Sequence, residues 1–424
     1  MNAHDQTRLV KCHATHLAKQ LNALPLGNVT DPRRRSKWEL RTLLTAVVTG
    51  MAAGCKGLGE MEELTQWLGK GARKALKLPK RVPDTTVRDL LIALNPDDIR
   101  QLLYGSVRRT GRGKQLKNDL PVRAASMDGK GTATRLFDKP DAEHRYGQRQ
   151  GDHAVVRTIT TCLVGVPGRP CIDAHPVPAH TNEGGAFVDA LDALLGAYGR
   201  SLFDVVMYDA AACYTKIGKE VVDRGLDYVF CLTNNQPTLV TEACRQLGHL
   251  PLEQADSSTI DIDGSHIVTR HLWMSEEMAD WLDWPHLQTV IRVRRVWTTK
   301  SGDLVREHDR YYVTSLAAST MTPAQWALLI RRRWSVENEN HNVLDTAFKE
   351  DDRPWILRPC GMVVVTLLRR LMFTWMTLYR SVTLRAERHR TGSWKSLMRQ
   401  MERALLLADE TIMEGLSPTV AACS

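Results

Sequence analysis

Residues 331–352 form the stretch that most constrains the fold of this chain: RRRWSVENENHNVLDTAFKEDD. The stretch contains neither Pro nor Gly, so it predicts an uninterrupted helix. At about 100° per residue, Leu344 and Phe348 fall on either side of Glu337. Glu337 therefore projects from the edge of an apolar face, towards the protein interior. A buried carboxylate is costly unless it is paired or binds a metal ion.

Two interpretations of Glu337 are open from this helix alone. One is an ion pair with Arg333, four residues earlier, although that order of the two charges is the weaker one on a helix. The other is a carboxylate that binds a divalent cation. The rest of the chain has to decide between them.

The size and charge of the chain restrict the class of protein. Its 424 residues are enough for two to four domains with a large core. Lys and Arg number 57 against 48 Asp and Glu, a net charge of +9 that suits a polyanionic partner. The nine Cys lack the spacing of a disulfide framework, and the N-terminus has no apolar signal core. Both features predict a reducing, cytoplasmic location.

Residues 363–379 are apolar enough to resemble a membrane span, but Arg369 and Arg370 lie in the middle. Two guanidinium groups would be expensive in lipid. We therefore expect a buried or interface helix and no membrane partner.

The N-terminal part, residues 1–117, has the pattern of an all-helical domain. It ends in a basic, Gly-containing segment, Arg108–Lys117, that predicts a linker. A second basic run precedes the apolar helix predicted at Leu40–Ala53 and contains three successive arginines, Arg33, Arg34 and Arg35. This run is either a solvated helix start or a contact with DNA phosphates, and both interpretations stay open.

The pattern changes at Pro121. Residues 118–237 predict three strands, a helix, a strand, a helix and a strand, which is a mixed α/β sheet with a central parallel strand. Residues 238–322 are rich in strands and Gly turns and predict a β-rich insertion. Residues 323–380 return to the core with the helix of Glu337, and residues 381–424 predict a helical C-terminal segment.

Two further carboxylates stand where the predicted strands end. Asp128 ends the strand predicted at 123–128, and Asp209 follows the apolar strand predicted at 203–208. In open α/β sheets, ligands bind at the carboxyl ends of strands. Together with Glu337 these oxygen ligands suit Mg²⁺, and two such ions can promote in-line phosphoryl transfer. With 48 acidic residues to choose from, spacing alone does not establish the triad.

Several blocks along nearly the whole chain carry a resemblance to a known family. They are Asp31-Pro32-Arg33, Pro83–Arg88, Met127–Lys130, Asn182-Glu183, Tyr208–Ala210, Asp227–Val229 with Asn235-Gln236, and Arg333–Asn338 with His341, Leu344-Asp345, Phe348 and Glu350-Asp351. In this order they resemble the insertion-sequence DDE transposases. The resemblance is to the group that includes the H-repeat-associated proteins, the ISAs-one group within or near the IS-four superfamily.

The resemblance implies an RNase-H-like catalytic core, split by the β-rich insertion, with two Mg²⁺ or Mn²⁺ ions on Asp128, Asp209 and Glu337. It also implies cleavage at the terminal inverted repeats of a bacterial mobile element and transfer of the 3′ ends to target DNA. Double-stranded DNA would be the partner, bound by a homodimer or higher oligomer in the nucleoid. The alternatives are an RNase-H-like nuclease without joining, and a catalytically silent DNA-binding protein derived from a transposase.

Four more residues receive candidate roles beside the triad. Arg333 and Lys130 are candidate DNA contacts, and His341 and Asp345 are candidate supporting groups. For Arg333 the alternative is the pair with Glu337, for Lys130 a solvated lysine, and for His341 a core histidine. The sequence departs from the superfamily's signature at Ile330, where Tyr is usual, and at Leu344, where Lys is usual.

Overall fold

Six helices precede the first strand in the computed structural model, which describes residues 3–34, 36–136, 145–209, 211 and 213–414. They are α1 (Ala3–Asn22), α2 (Leu40–Ala53), α3 (Leu58–Trp67), α4 (Lys70–Leu76), α5 (Asp84–Ala93) and α6 (Pro96–Arg112). The start of α6 shows how the sequence sets these bounds. The side chain of Asn95 accepts a hydrogen bond from the Asp97 backbone amide, and Pro96 is the first residue of the helix.

The linker predicted at Arg108–Lys117 is wrong in its first half, because α6 continues to Arg112. Gly111 is tolerated inside the helix, and the helix ends at Gly113. Arg109 and Arg112 lie in the last turn, where the positive charge of a side chain is favourable. A basic segment with glycines is therefore compatible with a helix end as well as with a linker.

The strands form one mixed sheet. They are β1 (Ala124–Arg135), β2 (Gly147–Gln150), β3 (His153–Leu163), β4 (Cys171–Pro176), β5 (Val205–Tyr208), β6 (Asp227–Leu232), β7 (Ser257–Asp263), β8 (His266–Ser275), β9 (Thr289–Thr299) and β10 (Leu304–Thr314). Between them lie α7 (Glu183–Tyr198), α8 (Thr215–Asp223) and α9 (Pro237–Leu247). The order is β2-β3-β1-β5-β6-β10-β9-β8-β7, and β4 pairs with β3. As predicted, β5 is parallel to both of its neighbours, β1 and β6, and buried throughout.

The segment 238–322 is rich in strands as predicted, but its first helix was missed. The helix α9 begins at Pro237. The four strands that follow extend the central sheet, because β10 pairs antiparallel with β6. The insertion therefore adds its strands to the sheet edge beside β6.

The strand predicted at 123–128 is too short. β1 continues past Asp128 to Arg135, with Asp128 opposite Thr160 of β3. Asp-Gly is ordinarily a turn signal, but the long antiparallel partner β3 supplies hydrogen bonds through this point. Asp128 consequently lies inside a strand and not at its carboxyl end.

The uninterrupted helix predicted at 331–352 is also wrong. The helix α10 (Pro323–Arg333) begins with a capping box at Thr322 and precedes a π-helical segment, Val336–His341. The helix α11 (Asn342–Thr346) follows. The Ser335 hydroxyl donates to the Arg332 carbonyl at 2.6 Å, an acceptor that a regular helix would use for a backbone amide. π-helical turns occur frequently at functional sites.

The last helices pack on the first ones. They are α12 (Pro359–Leu378), α13 (Glu387–Arg390), α14 (Trp394–Leu407) and α15 (Glu410–Glu414). The helix α12 packs against α2, α5, α6 and β4, and α14 packs against α1 and α2. One sheet face contributes to this shared core. On the opposite face, residues of α10 pack against β5, β6 and β9.

One helical stretch of the described chain, Pro359–Thr383, has the length and apolarity of a membrane span, and its most apolar part is buried within the protein. The two arginines in its middle are buried and have partners elsewhere in the protein. Arg370 donates to both oxygens of Glu350 at 2.8 Å, and Arg369 donates to the Arg353 carbonyl. Burial alone would raise the pKa of Glu350, but the Arg370 and Arg369 guanidiniums hold it below its usual value.

We predict that Glu350→Gln destabilises the fold by about 3–5 kcal/mol, because it leaves buried guanidinium charge without a counter-ion. Urea unfolding at neutral pH would measure the loss. The control is Glu339→Gln, which breaks the pair of Glu339 with Arg169 at a solvent-accessible position and should cost below about 1 kcal/mol. Equal losses for the two variants would contradict the prediction.

Candidate active site

The sheet register brings the two aspartates to the same level. Ser126 of β1 pairs with Met207 of β5 in the parallel ladder, and each strand reaches its aspartate two residues later. Asp128 is buried in β1, while Asp209 lies just beyond β5 and accepts a hydrogen bond from the Ala211 amide at 2.8 Å. The two aspartates are therefore level with each other, but only Asp209 stands at the carboxyl end of its strand as predicted, because β1 continues past Asp128.

The element that follows α10 brings Glu337 to this pair. The Ser126 hydroxyl donates to the Arg333 carbonyl at 2.9 Å and fixes the end of α10 over β1. Burial, then the charges of Glu337 and Asp209, raises the pKa of Asp128 to about 7. Burial and the charge of Asp209 also raise the pKa of Glu337. The three carboxylates are therefore close enough to repel one another.

Arg333 connects the parts of this cluster. Its side chain is 2% exposed, its Nη1 lies 3.5 Å from Oε1 of Glu337, and its Nε donates to the Tyr208 carbonyl at 3.4 Å. The ion-pair interpretation of Arg333 and Glu337 therefore describes a real contact. A DNA contact by Arg333 stays a prediction, since the guanidinium is enclosed by protein.

His341 lies next to Asp128, with its Nδ1 3.4 Å from Oδ2 of the aspartate. Burial, and then the positive charges of Arg370 and Lys130, lowers the pKa of His341 to about 3, so the ring is neutral at physiological pH. A neutral imidazole at this distance can orient the carboxylate. The ring is buried, so the core-histidine alternative also fits, and the supporting role of His341 stays a prediction.

Lys130 and Asp345 form an ion pair with each other. Nζ of Lys130 lies 2.7 and 2.9 Å from the two carboxylate oxygens of Asp345 and 3.1 Å from Asp351. The continuation of β1 beyond Asp128 places Lys130 here, where it is largely buried. The contacts connect β1 to the segment after the π-helical turn, so both residues support the site's architecture. A DNA contact by Lys130 stays a prediction.

Glu183 was not among the predicted site residues. It begins α7, contributes to the raised pKa of Asp128, and lies 3.3 Å from Arg157. A Cβ at Gly129 would approach the Glu183 side chain to 2.7 Å. The glycine after Asp128 therefore lets a fourth carboxylate approach β1. The only sequence signal was the Asn182-Glu183 block.

Of the three arginines predicted as DNA contacts near the N-terminus, the structure describes Arg33 and Arg34. Arg33 is paired with Asp31 at 2.7 Å and also donates to the Trp38 carbonyl, so its charge is largely used within the protein. Arg34 is exposed, and Arg35 lies outside the described residues. Ile330 and Leu344, the departures from the superfamily signature, are both core residues.

The carboxylates of Asp128, Asp209 and Glu337 are chemically suitable ligands for a divalent cation. All three carboxylates supply hard oxygen ligands of the kind that Mg²⁺ and Mn²⁺ prefer. Burial and then the charges of Glu337 and Asp209 raise the pKa of Asp128, and a bound cation would favour the ionised carboxylates. Within the described ranges, no three His, Cys, Asp or Glu side chains are already arranged around a common metal position.

A family model, the transposase DDE domain, matches residues 126–358, which is more than half of the chain. The chain belongs to the transposase DDE domain family. Its function is accordingly that of a transposase, in DNA transposition and recombination. The matched region begins in β1 and includes Asp128, Asp209 and Glu337, and DDE transposases generally use divalent metal ions.

Similar proteins occur in two bacteria. An "uncharacterized protein in dhlA 3′ region" of Xanthobacter autotrophicus is 24% identical over 285 residues, covering 62% of this chain and 85% of that protein. The putative protein YbfL of Escherichia coli K12 is 26% identical over 245 residues, covering 55% and 58%. Among solved structures, a piggyBac transposase synaptic complex with hairpin DNA is similar at a TM-score of 0.38 and 12% identity, covering 98% of this chain and 82% of that one.

We predict that Asp128→Asn stabilises the metal-free transposase, and more so as the pH rises. The pKa of Asp128 is raised from 3.8 to about 7 in the folded state. The protonated carboxyl therefore makes its full contribution to the free energy of unfolding below about pH 4, and this contribution is lost as the pH rises through 7. Asn cannot ionise and avoids this loss, which is at most roughly 4 kcal/mol at three pKa units.

Urea unfolding in EDTA at pH 4.5 and pH 8 would measure the effect. The exposed Asp223 provides the matched control, since Asp223→Asn should leave stability nearly unchanged at both pH values. A gain for Asp128→Asn that is the same at both pH values would show that ionic repulsion is not its cause.

Proposed function

We propose that this protein is an insertion-sequence transposase that cuts DNA at the terminal inverted repeats of its element and transfers the 3′ ends to target DNA. Asp128, Asp209 and Glu337 are its catalytic triad. The observation that carries the proposal is geometric: the parallel register of β1 and β5 brings Asp128 and Asp209 level, and Arg333 joins both strands to Glu337. Burial, and then the charges of Glu337 and Asp209, raises the pKa of Asp128 to about 7. Such perturbed groups are concentrated at functional sites.

Asp128, Asp209 and Glu337 would hold two Mg²⁺ ions, with Mn²⁺ as a substitute. When bound, such ions activate the attacking water or 3′-hydroxyl and stabilise the leaving oxygen in an in-line phosphoryl transfer. Arg333 holds the Glu337 carboxylate and the end of β5 in place. His341 orients Asp128 with a neutral ring, so it adds no positive charge to compete with a cation.

An RNase-H-like core is our interpretation of the sheet. The order β4-β3-β1-β5-β6, with β5 parallel to β1 and β6, supports it. Membership in the ISAs-one group with the H-repeat-associated proteins is supported by the sequence blocks, among them Arg333–Asn338. We place the protein in the bacterial cytoplasm, at the nucleoid.

Double-stranded DNA is the proposed partner, both as transposon ends and as target. The net charge of +9 supports a polyanionic partner. Two ends have to be cut together, so we propose a homodimer or higher oligomer on DNA. The N-terminal helices, with the exposed Arg34, are the proposed contact to the transposon ends.

We predict that Asp128→Asn, Asp209→Asn and Glu337→Gln each abolish strand cleavage while DNA binding is retained. Each change removes an anionic oxygen ligand and preserves the shape of the side chain. A labelled duplex that carries the element's own end, incubated with Mg²⁺ or EDTA, would measure cleavage, and gel shift would measure binding. Glu339→Gln, two residues from Glu337 but paired with Arg169, is the control that should still cleave.

The products separate the proposed function from its alternatives. Joining of the cut end to a second DNA identifies a transposase, and cutting without joining identifies a nuclease. Specific binding without cleavage in Mg²⁺ or Mn²⁺ identifies a silent DNA-binding protein. Normal cleavage by any of the three triad variants would refute the triad.

We also predict that Mg²⁺ stabilises the protein without DNA. A ligand that binds only the folded state at one hundred times its Kd contributes about 2.7 kcal/mol, so the melting temperature should rise with the Mg²⁺ concentration. The double variant Asp128→Asn/Asp209→Asn should lose the rise, and Glu339→Gln should keep it. An identical rise in the double variant would place the cation elsewhere.

A further inference from the structure

A tryptophan beside the triad is surrounded by arginines from the neighbouring strands. The guanidinium carbons of Arg310 in β10 and Arg295 in β9 lie 4.1 and 5.6 Å from the centre of the Trp334 ring. We call these three residues the Arg–Trp cluster. The guanidinium of Arg333 lies 4.3 Å from the same ring, so the cluster is continuous with the residue that holds Glu337.

Within the described residues, the two arginines of the cluster form no close ion pair with a carboxylate, although the charge of Arg310 acts on Glu337 from a longer distance and opposes the rise of its pKa. The other arginines around it all have carboxylate partners: Arg270 and Arg331 pair with Asp261, Arg169 with Glu339, and Arg332 with Asp119. Among the side chains that the structure describes, neither Arg295 nor Arg310 has such a partner. Burial and the adjacent charges of Arg310, Arg270 and Arg333 lower the pKa of Arg295, which reflects this crowding.

Two donors in the cluster also have no acceptor. Nε of Arg295 and Nε1 of Trp334 are buried without a hydrogen-bond partner in the described part of the chain. Leaving a buried donor without an acceptor is unfavourable. Two such donors beside unpaired guanidiniums favour an acceptor that comes from outside the chain and carries negative charge.

The surrounding grooves lead from the cluster to the carboxylates. One groove, of about 650 Å³, is lined by Arg295, Trp334 and Glu337. A second groove, of about 750 Å³, is lined by Arg310, Trp334 and Glu337 and also reaches Asp209. Both grooves thus contain Trp334 and Glu337, so an extended polyanion that passes Glu337 also passes the cluster.

We propose that the Arg–Trp cluster binds a backbone phosphate of the DNA strand next to the bond that is cut. The inference rests on the proposed function and deepens it. Guanidinium groups form bidentate hydrogen bonds with phosphate oxygens, and the indole nitrogen supplies a further donor. Because the carboxylates repel phosphate, the two arginines that have no close carboxylate partner position the strand while the triad carries the chemistry. Arg295 and Arg310 are positioning residues.

The chain contains a matched control for this proposal. Arg306, on the same strand as Arg310, lies 4.0 Å over the Trp297 ring and lines neither groove. Arg306→Gln therefore removes the same charge and the same kind of cation–π contact at a different place. If Arg310 contributed only packing or only net charge, Arg310→Gln and Arg306→Gln would have the same effect.

The first measurement is the salt dependence of binding to the labelled end duplex. Each lost phosphate contact should reduce the slope of log affinity against log salt by about one. We expect this reduction for Arg310→Gln and Arg295→Gln and no comparable change for Arg306→Gln. Trp334→Phe keeps an aromatic ring but removes the indole N–H, so it should weaken binding and leave the slope unchanged. If Arg295→Gln does not fold, Arg310→Gln alone decides.

The second measurement replaces one phosphate at a time around the cut by a neutral methylphosphonate. At the contacted phosphate, wild type and Arg306→Gln should lose about tenfold in affinity, a factor that corresponds to about 1.4 kcal/mol. Arg310→Gln should lose little more there, because its contact is already absent. Equal sensitivity of Arg310→Gln and wild type at all positions overturns the inference.

The two proposals can fail separately. If Glu337→Gln abolishes cleavage but Arg310→Gln binds and cuts as Arg306→Gln does, the inference is wrong and the proposed function stands. If Glu337→Gln still cuts while the methylphosphonate effect is specific to Arg310, the cluster binds phosphate but the triad is wrong.

Discussion

The architecture of the site depends on one buried arginine. The backbone carbonyl of Arg333 is bonded to Ser126 on the strand of Asp128, its Nε to Tyr208 before Asp209, and its Nη1 to Glu337. A single residue thus contacts all three elements that carry the carboxylates. Without a cation between them, three carboxylates in a partly buried place repel one another. Arg333 supplies the positive charge that lets the chain fold around them.

The second constraint is that β1 passes through the site and continues beyond it. The strand carries Asp128 past β5 and then places Lys130 against Asp345 and Asp351. The chain from the end of α10 to Asp351 is therefore attached to β1 on both sides of Asp128, at Ser126 and at Lys130. Between these attachments the chain forms a π-helical turn, so the position of Glu337 follows from contacts with β1 more than from the regular geometry of a helix.

These contacts explain which features could be predicted from the sequence. The alternation of strands and helices and the burial of β5 on both faces follow from local apolar patterns, and the sequence predicts them. The inward projection predicted for Glu337 is only partly correct, because its side chain is 37% exposed. The continuation of β1 through Asp128-Gly129 depends on its pairing with β3, and the π-helical turn depends on Ser335 and on β1. Local rules therefore predicted a strand end and a straight helix there. The Arg–Trp cluster joins β9, β10 and α10, and no spacing indicates it.

The same structure shows why total charge is a poor guide to where DNA would bind. The net charge of +9 is spread over the chain, and most arginines near Glu337 are already paired with carboxylates. A paired guanidinium has little charge to offer a phosphate, since binding would first have to break the pair. What distinguishes a place on the surface is positive charge without a partner, together with donors that lack acceptors. Around the carboxylates, Arg295 and Arg310 with Trp334 meet both conditions. The strands that extend the sheet beyond β6 thereby acquire a role next to the triad, because they bring these two arginines to it.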